Sequence, residues 1–161
     1  MMSSMLTRVL TALGAILVLV AVNHSIRAKE QIISTGEFIY LALAPVDPRS
    51  LMQGDYMALR FQLADQIEPQ LGEISSGYSR VPINVDARRV ATLAMPGTGA
   101  NQPFIRYRWR GGRVWLGTNA YFFEEGSADR FNDARFGEFR LDRESGEAVL
   151  VGLRDAELRA L

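Results

Sequence analysis

Residues 41–63 read LALAPVDPRSLMQGDYMALRFQL, a pattern of strand, rigid turn and strand. Ile39, Leu41 and Leu43 alternate with Phe38, Tyr40 and Ala42, the period-two spacing of a strand with at least one buried face. Pro45 and Pro48 fix φ and carry no amide proton for a sheet ladder, so the first strand, over Glu37 to Ala44, stops there. Asp47 and Ser50 can bond nearby backbone in the turn, and Gly54 ahead of Asp55 gives a second tight bend. Tyr56, Ala58, Arg60 and Gln62 then alternate with Met57, Leu59, Phe61 and Leu63, which starts a second strand over Tyr56 to Leu63.

Further along the chain the same signals recur. Ile67, Leu71 and Ile74 are at helical spacing, so a short helix is expected within Ala64 to Ser75 despite Pro69 and Gly72. Arg80 to Val85 and Val90 to Met95 predict a hairpin about Asp86–Arg89. Residues 96–103 hold two Gly and two Pro among polar residues and predict a surface loop. Phe104 to Leu116 is the clearest hairpin, because Gly111-Gly112 between alternating runs fits a two-residue primed turn. That register sets Arg110 against Arg113, Trp109 against Val114, Arg108 against Trp115 and Tyr107 against Leu116. Tyr107, Trp109, Val114 and Leu116 share the face assigned to the core; Arg106, Arg108, Arg110, Arg113 and Trp115 share the other. Ser127 to Ala134 can make one or two helical turns with Ser127 as cap. Phe136 to Asp142 and Glu147 to Leu153 close the chain as a last hairpin. A run of hairpins predicts a mainly β fold: an antiparallel sheet, sandwich or partly closed barrel, with one or two short helices.

The N-terminal end is different. Val9 to Ile26 is 18 residues without Asp, Glu, Lys or Arg, the length of a transmembrane helix. Its most apolar part, Leu10 to Val22, is shorter, which leaves a cleaved signal peptide as the competing reading. Ala21-Val22-Asn23 and Ile26-Arg27-Ala28 are poor cleavage sites, which favours an uncleaved anchor. Ser25 to Thr35 continues that helix and Gly36 ends it. The expected organisation is an anchor with a helical extension over 1–35 and one β-rich domain over 36–161, large enough for its own core. The loop charges do not orient it: the terminal amine and Arg8 flank one end, Arg27 and Lys29 the other.

Composition removes several functions. The 161 residues carry no net charge, against general binding of polyanions and against nucleic acid. There is no Cys, and His24, the single histidine, lies at the end of the apolar run. A Ser-His-Asp triad, a Cys-His pair and a histidine zinc site are therefore unavailable to the β-rich part. A Ser-Lys dyad would have to use Lys29, beside the membrane. No Gly-rich phosphate loop leads into a helix, and no metal or cofactor is expected. Carboxylates remain as acid–base groups. Asp47 and Asp55 flank one turn, and such a pair can act as acid and base when burial separates their pKa values. Their ordinary reading is turn initiation by Asp47 before Pro48, with Asp55 capping the next strand or pairing with Arg49. Glu124, Glu125, Asp129 and Asp133 make an acidic patch without the spacing of a calcium loop. All basic residues but Lys29 are Arg, whose planar fork suits phosphate and carboxylate. The arginine face of the 104–116 hairpin could thus hold a lipid headgroup, a cell-wall polymer or an acidic partner. Its bland alternative is a solvated strand face with Arg108 stacked over Trp115.

Gly54-Asp55-Tyr56-Met57-Ala58-Leu59-Arg60-Phe61 resembles the signature of the GDYXXLXY family of bacterial membrane-anchored proteins, and Pro45 to Leu51 resembles the proline-rich lead-in usual there. The likeness continues through Gly117 to Gly126 and Leu150 to Arg154. Phe61 stands where the family motif has Tyr, which puts in doubt any role of a hydroxyl at that position but not the packing of the ring. The resemblance brings no reaction with it. Genes of this family often lie beside, or are fused to, those of multi-pass membrane proteins. It therefore implies a single-pass, non-catalytic accessory protein of the inner membrane that binds a multi-pass partner, its β domain facing the periplasm or cell exterior. A hydrolase using Asp47 and Asp55 is the enzymatic alternative.

Overall fold

The computed structural model describes residues 4–44, 52–53, 56–70, 77–95 and 102–161. It opens with one unbroken helix, α1 (Ser4–Thr35). The run from Val9 to Val22 is apolar on every side, so no stripe directs one face toward a core. Accordingly Ile32 is the one buried residue among the helix side chains described. The first strands are β1 (Glu37–Ala42), β2 (Met52–Gln53) and β3 (Tyr56–Ala58), followed by a short helix α2 (Gln62–Ile67). Then come β4 (Gly77–Val85), β5 (Ala91–Leu93), β6 (Phe104–Arg110), β7 (Arg113–Trp115), β8 (Ala120–Phe122), β9 (Phe136–Leu141) and β10 (Ala148–Arg154).

The strands pair as three antiparallel sheets in the orders β1-β9-β10, β2-β3-β8 and β5-β4-β6-β7. Single backbone bonds stitch the sheets together. Tyr40 N–H donates to Arg89 O (2.8 Å), Ala44 N–H to Arg60 O (2.8 Å) and Arg106 N–H to Gly146 O (2.7 Å). The sheets so joined curve into a half-barrel around one core that includes Ile39, Leu41, Ile83, Ile105 and Phe139, all fully buried. The predicted fold class is the observed one: mainly antiparallel β, with one long apolar N-terminal helix and few short ones.

Local differences have local causes. The second strand ends at Ala58 rather than Leu63. The chain stays extended as far as Phe61 (φ −112°, ψ 136°), which only bridges Leu43, and then turns into α2. Met57, Leu59 and Phe61 are buried all the same, because an extended chain alternates its side chains with or without a ladder, and Leu63 is buried by the helix instead. Helix α2 starts two residues before Ala64, buries Leu63, Ala64 and Ile67, and tightens to a 3₁₀ turn over Glu68–Gln70 around Pro69. The predicted contributions of Leu71 and Ile74 fall outside the described residues, as does most of the predicted 96–103 loop. Strand β4 begins at Gly77, not Arg80, because Gly77 to Pro82 pair with β6, with Gly77 opposite Trp109 and Tyr78 opposite Arg108, while Ile83 to Val85 pair with β5.

The 104–116 hairpin has the expected register, Arg110 to Arg113, Trp109 to Val114 and Arg108 to Trp115. Gly111 (φ +59°) and Gly112 (φ +77°) supply the two left-handed residues that a primed turn requires. Tyr107, Val114 and Leu116 are buried as assigned, but Trp109 is only half-buried. Its neighbour across the ladder is Gly77, which has no side chain to cover the ring. Ser127 precedes the 3₁₀ turn Ala128–Phe131 without capping it; its hydroxyl donates backwards to Glu124 O (2.6 Å).

Candidate functional site

Period-two alternation puts Tyr78 and Arg80 of β4, Phe104, Arg106, Arg108 and Arg110 of β6, and Arg113 and Trp115 of β7 on one face of the sheet. Two pairs of like charge face each other directly there, Arg80 with Arg106 and Arg110 with Arg113, an unfavourable arrangement across a ladder. Aromatic rings offset it. Arg106 and Arg108 lie 4.7 and 5.3 Å from the Tyr78 ring, Arg110 lies 5.6 Å from Trp115, and Arg80 lies 4.9 Å from Phe104. The expected stacking of Arg108 over Trp115 is replaced: Tyr78 takes Arg108, and Trp115 takes Arg110 from the diagonal position.

This face forms one wall of an open groove of 690 Å³. Residues of β8 and of the start of β10 form the other wall, and Lys29 of α1 reaches in from the side. Lys29 is ion-paired with Glu147. Arg106, Arg108 and Arg110 have no carboxylate partner among the described residues. Tyr78 and Phe122, at the rim, are 64% and 75% exposed. An arrangement of free guanidiniums bordered by exposed rings can bind a phosphate or carboxylate.

The groove is held against α1 by the junction between helix and strand. Gly36 N–H donates to Ile32 O (2.8 Å), and Arg140 Nη1 donates to Gly36 O (2.9 Å). Gly36 ends the helix without a left-handed φ. It is needed for space: a Cβ there would run into the Ile32 carbonyl oxygen and come within 3.1 Å of Arg140 Cβ. Next to it Glu37 is ion-paired with both Arg89 and Arg143. The hydrogen bond from Arg143 does most to hold its carboxyl below the usual range, and the Arg89 charge adds to this. Asp142 is lowered too, chiefly by the Ser145 hydroxyl (2.6 Å) in the β9–β10 turn.

The motif residues separate. Leu59 and Phe61 are core residues, with Phe61 packed edge-on against Phe139 at 5.2 Å. That ring fits because residue 137 is Gly, whose added Cβ would lie 2.9 Å from it. Tyr56 is half-buried, its ring 5.7 Å from Phe122 on the groove rim. Asp47, Arg49, Gly54 and Asp55 lie outside the described residues. Arg106, Arg108 and Trp115 are brought together in the groove. The sequence reading missed Tyr78, Phe122 and Glu147 there. Extending the alternation of Arg80 back by two residues would have found Tyr78; nothing local announces the other two. Among the described residues no three His, Cys, Asp or Glu side chains converge.

Helix α1 is long and apolar enough to cross a bilayer once, with mean hydropathy 2.3 over its best 18-residue window and none of that window buried. No curated protein and no solved structure matches the chain. A family model described as GDYXXLXY protein matches residues 18–153, from within α1 to the end of the last hairpin. The chain therefore belongs to the GDYXXLXY protein family.

Proposed function

We propose that this is a membrane-anchored, non-catalytic accessory module of the bacterial envelope that binds a multi-pass membrane protein. The anchor is residues 1–35 in the inner membrane, and the β-rich body, residues 36–161, faces the periplasm or cell exterior. The observation that carries the reading is α1, whose apolar window is exposed on every side and has no counterpart among the described residues of the body. A lone apolar helix in a bilayer is available to pack against other transmembrane helices. The setting of the family beside multi-pass proteins gives that partner its class.

Photo-crosslinkers placed singly at Ala12, Leu17 and Val20 in intact membranes test this. A discrete adduct with a multi-pass protein is expected from one face of the helix. Adducts with lipid alone from all three positions would overturn it. Because the chain has no Cys, Glu125→Cys reports topology: an impermeant maleimide should label it from outside intact spheroplasts. Labelling only after lysis would put the body in the cytoplasm.

A further inference from the structure

We propose that the groove between the arginine face and β8 holds the phosphate headgroup of an anionic phospholipid drawn from the leaflet in which α1 ends. This goes beyond partner binding and rests on one part of that reading, that α1 crosses the bilayer. The depth of the groove is the first support. The run without a charged residue ends at Ile26, and Lys29 lies three residues on, about 4.5 Å further along the axis. A headgroup layer is about 5–7 Å deep on each side of the hydrocarbon. Lys29, and with it the groove it lines, is therefore at headgroup height.

The chemistry is the second support. Arg106, Arg108 and Arg110 line the groove, while its one lining carboxylate, Glu147, is already bound to Lys29. Guanidiniums bind phosphate oxygens in pairs, with a geometry that a lysine cannot offer. An anion among them also relieves the facing charges of Arg80 with Arg106 and Arg110 with Arg113. The rim is the third. Phe122 and Tyr78 are the exposed rings beside these cations, and an amphipathic ring such as that of Tyr78 favours the headgroup level of the membrane. A chain with no net charge thus concentrates cations without carboxylate partners and exposed rings in one groove.

The test uses the full chain reconstituted in phosphatidylcholine vesicles into which phosphatidylglycerol is titrated. Trp109→Phe leaves Trp115, in the groove, as the only tryptophan. Its emission should shift and saturate with phosphatidylglycerol. Replacing any one of Arg106, Arg108 and Arg110 by Gln should raise the midpoint about fivefold, and replacing all three about a hundredfold. High salt should weaken the parent response. If the triple variant does not fold, the exposed Arg108→Gln change alone still reads the fivefold step. Equal midpoints for parent and Arg108→Gln would overturn the proposal, as would no shift in a chain that resists carbonate extraction. The same shift from inorganic phosphate would assign a soluble phosphate, and a response only to polyglutamate an acidic protein; either overturns the lipid. Release of the chain by carbonate would remove the anchor and overturn both readings. A missing crosslinked partner leaves the titration unaffected, so the two failures are distinct.

Discussion

Glu138 shows how much one residue depends on its neighbour. It is a buried carboxylate in the middle strand of its sheet, ion-paired with Arg154 of the adjacent strand. Removing one partner leaves the other charge without its counter-ion in the interior. Arg154→Met should therefore cost about 3 kcal/mol in chemical denaturation, whereas Glu138→Leu combined with Arg154→Met should recover most of it. A double variant as unstable as the single one would show that the pair contributes more than mutual neutralisation. Glu37 and Asp142 contribute to the acid limit. Both have folded pKa values below their unfolded ones, so below the ordinary carboxylate range, near about pH 4, the unfolded chain binds the extra protons. Their contribution is full above that range and is lost as pH falls through the lowered folded values. Melting temperature should be flat from neutral pH down to about 5 and then fall, and Glu37→Gln with Asp142→Asn should flatten the fall. An unchanged acid limb in that double variant would locate the sensitivity elsewhere.

At the scale of elements, the hairpins were legible wherever a turn carried its own chemistry. Gly111-Gly112 set a register that the structure reproduces in the three pairs nearest the turn, and the last hairpin falls across Arg143–Gly146 as its spacing indicates. What could not be read was long-range pairing. The extent of β4 depends on β6, more than twenty residues on, and the end of β3 depends on where Phe61 meets Leu43 and Phe139. The groove was half-legible for the same reason. Its arginines alternate within one strand, but Tyr78, Phe122 and Lys29 come from three other elements. The half-buried Trp109 makes the hairpin testable. Tyr107→Ala should cost about 3–5 kcal/mol, as large core truncations do, and Trp109→Ala clearly less, since Gly77 leaves one flank of the ring open. Thermal melts of the two variants under one condition give the order; a reversed order would mean that Trp109 contributes more to the core than its exposure indicates.

For the whole molecule, the helix-to-strand junction is the decisive piece. Gly36→Val would push a side chain into the Ile32 carbonyl and Arg140. An overpacked site of this kind costs about 1–3 kcal/mol, and the damage should concentrate where α1 meets β1. Trypsin in detergent micelles should then cut faster at Arg27 and Lys29 than in the parent, with the β strands still protected. An unchanged cleavage rate would mean that the junction absorbs the side chain by bending. The same junction has a mechanical consequence. A ten-residue flexible linker would let a body wander over roughly 17 Å; here there is no slack, only one glycine between the helix and the first strand. Whatever inclination α1 takes in the bilayer is passed on to the body. Transmembrane helices tilt to match the thickness of the hydrocarbon around them, by about 20° on average. In a thin bilayer α1 would lean and press one side of the half-barrel toward the surface; in a thick one it would stand and lift that side away. A stalk without a joint thus turns bilayer thickness into the angle of the body, and the molecule becomes a gauge of the membrane that carries it.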